Sequence, residues 1–440
     1  VWLFMVEFGI PYWWEQGRSL PDFPEKPSEY CDLLVIGAGF TGLSASITSS
    51  RLKAKTICVD KGIPGEGAST RNGGMCGAHA RVGFKSLCKS FGLDIATKVF
   101  KESPKAFEFI KKFIEDESIE CDFKITGRIQ LANTKSHTFK QQKMAKNLSK
   151  IANYKAVILD ADEIGEHILS NQYFGGLYYE EHAGLNPRKL HDEMVRVALK
   201  SGVEILDNCS VMSYKKIGIH FFVKTTKGII KTKNIILATN GYTKKPFEWF
   251  FKRVFPLPSF IIATEELDKS LIKTLAPGGR MMVEAGSKHC YYRISPDGSR
   301  ILFGGRAGMI PYGPAFAAKR LRKAMIKIWP QLENVKITHS WKGNTGFTFE
   351  QTPCVGEHNG VHFAFGYSGS GVAMAPYLGM KCAFQALGDP RGETIFSSTK
   401  PTTRFYHFVQ NPIFLFFAEI WYRQFVDHWE AWQANKDNKS

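Results

Sequence analysis

The sequence predicts an α/β fold, α+β overall, in which a dinucleotide-binding domain is interrupted by a sheet-based substrate domain. Three observations predict it. Asp32-Leu-Leu-Val-Ile36 is an apolar run of strand length, followed at once by Gly37-Ala-Gly-Phe-Thr-Gly42 and a helical continuation from Leu43 to Ile47. A second apolar run, Lys55 to Asp60, ends in an acid 18 residues after Gly42, close to the spacing of a dinucleotide-binding unit. Finally, Asn234 to Gly241 reads as a buried strand ending at a glycine turn, so the same theme resumes after a long interruption.

Each residue type in the first unit has a physical task. Gly37 permits a tight turn, Gly39 lets the backbone approach a pyrophosphate, and Gly42 lets helix and strand pack closely. The helix N-terminus favours phosphate charge, and Asp60 is placed to accept hydrogen bonds from ribose hydroxyls.

The remaining elements follow in order. Pro11, Pro21, Pro24 and Pro27 with Trp2, Trp13 and Trp14 suit an extended arm packed by its aromatics. Ser103 as cap and Pro104 in first position open a helix to about Ile119, and Gly127 to Ala132 is strand-like. Gly202 to Leu206 reads as a strand, and Phe221–Thr225 with Gly228–Thr232 as a hairpin. Cys290 to Ile294, the turn Pro296-Asp-Gly298, and Ile301 to Gly305 make a strand-turn-strand pattern, with Ala317 to Ile328 helical. The predicted division is an arm over 1–30, a discontinuous cofactor domain over 31–88, 151–245 and 341–390, a substrate domain over 89–150 and 246–340, and an aromatic-rich helical tail over 391–440. That tail, amphipathic over Phe405 to Trp432, packs on the cofactor domain or serves a membrane surface or partner.

Composition sets the class. The 440 residues suit two or three domains, and 44% hydrophobic with 22% charged residues excludes a disordered chain or a fibre. Nine scattered cysteines without a C-x-x-C spacing exclude a disulfide framework and a zinc cage, and point to a reducing, cytoplasmic setting. The run Phe408 to Ala418 is too short to span a bilayer, and Val1 to Val6 lacks the marks of a secretion signal. The net charge of +17 leaves open an anionic partner: nucleic acid, the inner face of a membrane, or an acidic substrate.

The most informative stretch is Gly65-Glu-Gly-Ala-Ser-Thr-Arg-Asn-Gly-Gly74, a small-residue loop able to approach a flat cofactor edge-on. Arg71 and Asn72 offer it a charge and an amide for phosphates or ring carbonyls. With Asp32 to Gly42, Ala238-Thr-Asn-Gly-Tyr242 and Gly366-Tyr-Ser-Gly-Ser-Gly-Val372, it resembles the D-amino-acid-oxidase superfamily of FAD-dependent amine oxidoreductases, most of all the gamma-glutamylputrescine oxidoreductase branch. The resemblance covers about Asp32 to Pro390. It implies a Rossmann-like FAD-binding domain interrupted by an antiparallel-sheet substrate domain.

The resemblance also implies a cofactor site. Gly37, Gly39, Phe40, Thr41 and Gly42 would hold the pyrophosphate, with Asp60 and Lys61 at the adenosine ribose. Gly67, Ala68, Ser69, Arg71, Asn72, Gly73, Gly74 and Met75 would hold the middle of FAD, Ser210 and Val211 the adenine, and Thr239, Asn240 and Gly241 a second contact. Trp341, Gly343, Gly366, Tyr367, Ser368, Gly369, Ser370, Gly371 and Val372 would surround the isoalloxazine, where the helix opening at Gly371 favours negative charge. Tyr242, Tyr292, Arg306 and Phe347 are the substrate-side candidates, with no obligate catalytic residue and no metal.

The implied reaction is hydride transfer from a primary or secondary amine, a polyamine conjugate or N-alkyl amino acid, to FAD, giving an imine that hydrolyses. Departures from the sarcosine-oxidase branch refine this. Val372-Ala373 stands where that branch places a carboxylate-binding lysine, so a substrate carboxylate is not expected there. Phe347 falls near its flavin-linking cysteine, so FAD is expected to be noncovalent. Phe303 replaces its oxygen-activating lysine, so oxygen or a respiratory acceptor is left open. The alternatives are a flavoprotein acting on a modified transfer-RNA base, which the basic charge would serve, and a peripheral membrane amine dehydrogenase.

Overall fold

The protein is described by a computed structural model covering residues 6–437 apart from Arg18, Ala78, Phe408 and Gln410; the apolar opening from Val1 to Met5, with Trp2, lies outside the described residues. Two large sheets organise the chain. The first has a five-strand parallel core in the order Glu204–Leu206, Thr56–Val59, Tyr30–Ile36, Gly228–Leu237, Val361–Phe365. Helices Phe40–Arg51 and Gly371–Ala386 pack together against one face of it. Its strands read as continuous apolar runs because both faces are covered, as parallel sheets require.

The second sheet has nine strands and is antiparallel except for two pairings. Its longest strands, Phe255–Thr264 and Ile337–Phe347, pair along most of their length. Alternation divides its faces. Phe260, Ile262, Tyr292 and Phe303 face the helix Pro314–Ile328, while Ile261, Leu302 and Trp341 face the cofactor domain and receive Tyr12 and Trp13 from the arm. The arm adds Glu7–Phe8 as an edge strand beside His339 and Ser340.

The sheets divide the chain differently from the expected boundaries. Val157–Leu159 and Gly176–Tyr179, placed by sequence in the cofactor domain, belong to the nine-stranded sheet. Conversely, helices Leu93–Glu102 and Lys105–Asp116, placed in the substrate domain, bury Val99, Phe100, Ile110 and Phe113 in the core that contains Leu33 and Val35. Helical periodicity marks an apolar face but not the core it meets, and strands this short carry little pattern. Ser103 does not cap the second of these helices. Its hydroxyl donates to the Val99 carbonyl and closes the first. The expected hairpin strand and buried strand are one, Gly228–Leu237, and a further strand, Val211–Ile217, pairs antiparallel with the other hairpin strand, His220–Thr225.

All nine cysteines are free thiols. Among the described residues no helix is long and apolar enough to cross a membrane. The tail forms helices Phe414–Trp421 and Asp427–Asp437, joined by a π-helical turn at Tyr422–Val426. It lies on the nine-stranded sheet's domain rather than on the cofactor domain, with Phe414, Leu415 and Tyr422 packed on Phe255 and Met309 and with acidic side chains bonded to that domain.

Candidate cofactor cleft and active site

The glycine turn is a steric requirement. A Cβ on Gly42 would lie 1.8 Å from the Gly37 carbonyl oxygen, and one on Gly39 would lie 2.8 Å from Ser69 Oγ. Gly37 itself has φ +104°, a conformation that favours glycine. Ser69 ties the small-residue loop to this turn by accepting from the Phe40 N–H at 3.0 Å. Asp60 accepts from the Ala38 N–H at 2.8 Å and the Gly62 N–H at 3.2 Å, while burial raises its carboxyl above the usual range.

Three indoles fix the loop from behind. Trp13 Nε1 donates to the Asn72 carbonyl at 2.8 Å, Trp14 Nε1 to Thr70 Oγ1 at 2.8 Å, and Trp341 Nε1 to the Arg71 carbonyl at 3.0 Å. Asn72 is committed within the loop: its amide donates to the Ala68 and Ser69 carbonyls and its oxygen accepts from the Gly74 N–H. Arg71 donates to the carbonyls of Glu66 and Gly9 and stacks on Trp14 at 4.6 Å, so it also staples the arm.

These parts enclose a cleft of about 870 Å³. It brings together Gly37, Gly39, Phe40, Thr41, Asp60 and Lys61; Gly67, Ala68, Ser69, Arg71 and Asn72; Ser210, Val211, Thr239 and Asn240; and Tyr367, Gly369, Gly371 and Val372. Other named residues shape its walls from behind. Gly241 packs on Gly346, Gly343 on Arg71, and Gly74 against the Leu185 carbonyl. Ser368 donates its N–H to the Gly346 carbonyl, and Gly366 donates its own to Asn240 Oδ1. Gly73 packs on Tyr291; Met75 stands in a short strand paired with Gly184, and Ser370 ends the second glycine turn. The sequence reading passed over Lys244, Lys342, Asn344 and Thr345, which also line the cleft; the last three lie on the strand of Trp341 and Gly343, which was the available signal.

The substrate-side candidates separate. Tyr242 lines the cofactor cleft beside Gly67 and accepts from the Asn344 N–H, so it stands on the cofactor side. Tyr292 is a correction: it is fully buried on the opposite face of its sheet, stacked on Phe303 and bonded to Tyr173. Its neighbour Tyr291 faces the cofactor loop, packing on Gly73 and Gly304 with its hydroxyl 2.9 Å from Ser259 Oγ. A one-residue error in parity reverses the face. Phe303 shares that orientation, so its identity says nothing about oxygen. Arg306 is the second correction, because it pairs with Asp427 and stacks on Tyr422 in the tail. Phe347, next to Gly346 of the cleft wall, lies 5.3 Å beneath the Arg81 guanidinium.

Arg81 was not foreseen. Its Nη1 lies 2.6 Å from where a Gly369 Cβ would be, and it lines a recess with His79, Thr352 and Ser370. Arg128 lies 3.1 Å from His79 Nε2 and stacks on Tyr179, which stacks in turn on His182. Among the described residues neither arginine forms an ion pair with a carboxylate. Burial, then Arg81 and Arg128, hold the His289 imidazole down at about 3. His79 and His182 are likewise held neutral, chiefly by burial. This is a cationic region without a carboxylate partner among the described residues, beside Gly369 of the second glycine turn, with Arg81 exposed and Arg128 half-buried.

Comparison with known proteins decides the identity. A family model described as FAD dependent oxidoreductase (DAO) matches residues 32–385. The chain belongs to this family. Its cofactor is FAD, and the glycine turn, committed loop and elongated cleft fit that group. The chain is 32% identical to a probable oxidoreductase OrdL of Haemophilus influenzae over 378 residues, 84% of this chain and 86% of that protein. It is 28% identical to the gamma-glutamylputrescine oxidoreductase of Escherichia coli over 362 residues, 82% of this chain and 84% of that one. The fold is similar to that of glycine oxidase from Geobacillus kaustophilus, with TM-score 0.71 at 18% identity, covering 86% of this chain and 100% of that one. The family match, like the sequence resemblance, spans the cofactor domain and the inserted sheet and stops before the tail.

Proposed function

We propose that this FAD-dependent oxidoreductase oxidises a primary or secondary amine that also carries a carboxylate, such as a gamma-glutamyl polyamine conjugate or an N-alkyl amino acid. The observation that carries the reading is the pair Arg81 and Arg128, which have no carboxylate partner among the described residues and lie beside Gly369 and Phe347. A carboxylate is the planar partner a guanidinium binds best, and these two are open to one. The names of the E. coli relative and of the similar glycine oxidase fold support the amine half.

When bound, FAD would supply a hydride acceptor, so that an amine losing hydride from the carbon beside its nitrogen would become an iminium that water hydrolyses to a carbonyl product and the released amine or ammonia. The chain's own residues orient and tune. Arg81 and Arg128 fix the carboxylate, and Phe347 with Met374 excludes water beside the reacting carbon. The helix opening at Gly371 directs its positive end at the cleft and favours the negative charge the cofactor gains. His79 and His289, held neutral, add hydrogen-bonding groups without adding charge. The arginines supply from the 77–82 loop and the strand Arg128–Leu131 the cation that Val372-Ala373 does not. Nine free thiols suit a cytoplasmic site of action, with oxygen or a respiratory acceptor reoxidising the cofactor.

Steady-state kinetics of Arg81→Gln test the reading. We expect kcat/KM to fall about 30-fold or more for a carboxylated amine and much less for its uncharged counterpart. An equal fall for both would sink the carboxylate assignment.

A further inference from the structure

The tail is an amphipathic helix docked the wrong way round for an ordinary surface helix. All four acids of Phe414–Asp437 are turned to the body of the protein. Glu419 Oε2 accepts from the Met309 N–H at 2.7 Å, and Asp427 pairs with Arg306. Glu430 accepts from the Ser287 N–H and hydroxyl at 2.8 and 2.7 Å, and Asp437 from the Lys135 N–H at 2.8 Å. Phe414, Leu415 and Tyr422 pack inward on Phe255 and Met309, and the rest of the apolar side is left outside. Phe417, Trp421 and Trp429 are 67%, 58% and 58% exposed, and Ile420, Phe425 and Trp432 continue the stripe at helical spacing. A soluble helix buries this face and shows the polar one.

The charges around the stripe are of one sign. The tail's outward ionic groups are Arg423 and Lys436. Next to it lies the helix Pro314–Ile328, whose Arg320 reaches Glu419 at 3.8 Å and whose sequence contains no acid. Lys319 and Lys323 of that helix are exposed on the side of the exposed Phe316. Tryptophan and phenylalanine rimmed by lysine and arginine match the chemistry of an anionic lipid headgroup layer, with rings at the acyl boundary and cations at the phosphates. The stripe from Ile413 to Trp432 is about 30 Å of helix at 1.5 Å per residue. No described helix is apolar enough to cross the bilayer, so the contact lies along its surface.

We propose that this face binds an anionic membrane surface, holding the enzyme peripherally with its tail helix in the interface plane. The aromatic stripe lies beyond residue 385, where the family match ends, and the proposal is independent of which amine is oxidised.

Co-sedimentation of the holoprotein with vesicles tests it, comparing pure phosphatidylcholine with phosphatidylcholine containing about a third phosphatidylglycerol. The expected result is binding to the anionic vesicles alone, weakened by salt, with a blue shift of tryptophan emission. Trp421→Ser/Phe425→Ser should lower the partition coefficient about tenfold or more. Lys319→Glu/Lys323→Glu, which leaves the aromatics in place, should lower it as well. Unchanged bound flavin in both variants shows that the fold is intact. Failure to bind anionic vesicles overturns the proposal. So does a dimer in sedimentation velocity that the aromatic double variant dissociates, because the stripe would then be covered by a second copy.

Discussion

The cofactor loop and the C-terminal tail hold themselves to the same protein in opposite ways. The loop at Gly65–Gly74 is fixed through its backbone, with carbonyls and amides taken by three indoles and by its own Asn72, and with glycines where a Cβ has no room. The tail is fixed through side chains: four acids reach inward, and Phe414 and Leu415 pack on Phe255. Backbone fixation fails when a methyl group is added. Side-chain fixation fails piecemeal, one ion pair at a time, leaving the rest of the enzyme folded.

That contrast is broken most sharply at Gly42. Gly42→Ala places a carbon 1.8 Å from the Gly37 carbonyl oxygen. The helix must move off the sheet, at a cost of about 3 kcal/mol or more, and the purified protein should carry no FAD in its absorbance spectrum. A fully loaded Gly42→Ala protein would show that the turn is looser than its geometry.

In the tail, Arg306→Gln leaves Asp427 without its cation, a loss of about 1–3 kcal/mol confined to the docking of Asp427–Asp437. Limited proteolysis should cut the tail several-fold faster while flavin content and turnover of a freely diffusing substrate stay as they were. Loss of flavin in this variant would join the two regions that the comparison separates.

The smallest effect concerns pH. His289 is held at about 3 in the folded protein, below the ordinary imidazole value. Between that value and the unfolded one near 6.5, the unfolded chain binds the extra proton, so stability is present above the unfolded pKa and is lost as pH falls toward 3. His289→Asn should flatten the acid side of a thermal-stability profile by up to one proton, about 1.4 kcal/mol per pH unit, and leave neutral stability nearly unchanged. An unchanged acid slope would mean that the imidazole is free to protonate in place.

The same contrast explains how much was legible in the sequence. Backbone fixation writes itself as glycine, which is why Gly37, Gly39, Gly42 and the G-A-S-x-R-N-G-G loop could be read directly and lie together at one cleft. Face and partner are written less plainly. Tyr292 was chosen where Tyr291 faces the loop, because two adjacent tyrosines in a strand offer no parity of their own; the register against Phe303 and Gly304 sets it. Arg306 looked free because its partner, Asp427, is 121 residues away. Arg81 lies in the expected cofactor domain and Arg128 in the first inserted segment, and only folding brings them together with no carboxylate partner among the described residues. The helix Lys105–Asp116 was visible in the sequence, but the core that receives its apolar face is a tertiary choice.

The central claim is that the cationic end of the cleft selects a carboxylated amine for oxidation. Its most direct test is an anaerobic titration of the holoenzyme that follows the visible flavin absorbance, with gamma-glutamylputrescine and sarcosine set against putrescine and methylamine. The account predicts bleaching by at least one of the carboxylated amines at concentrations where its uncharged counterpart leaves the spectrum unchanged. Equal bleaching by a carboxylated amine and its uncharged counterpart would contradict the role given to Arg81 and Arg128, and a spectrum untouched by all four would contradict amine oxidation itself.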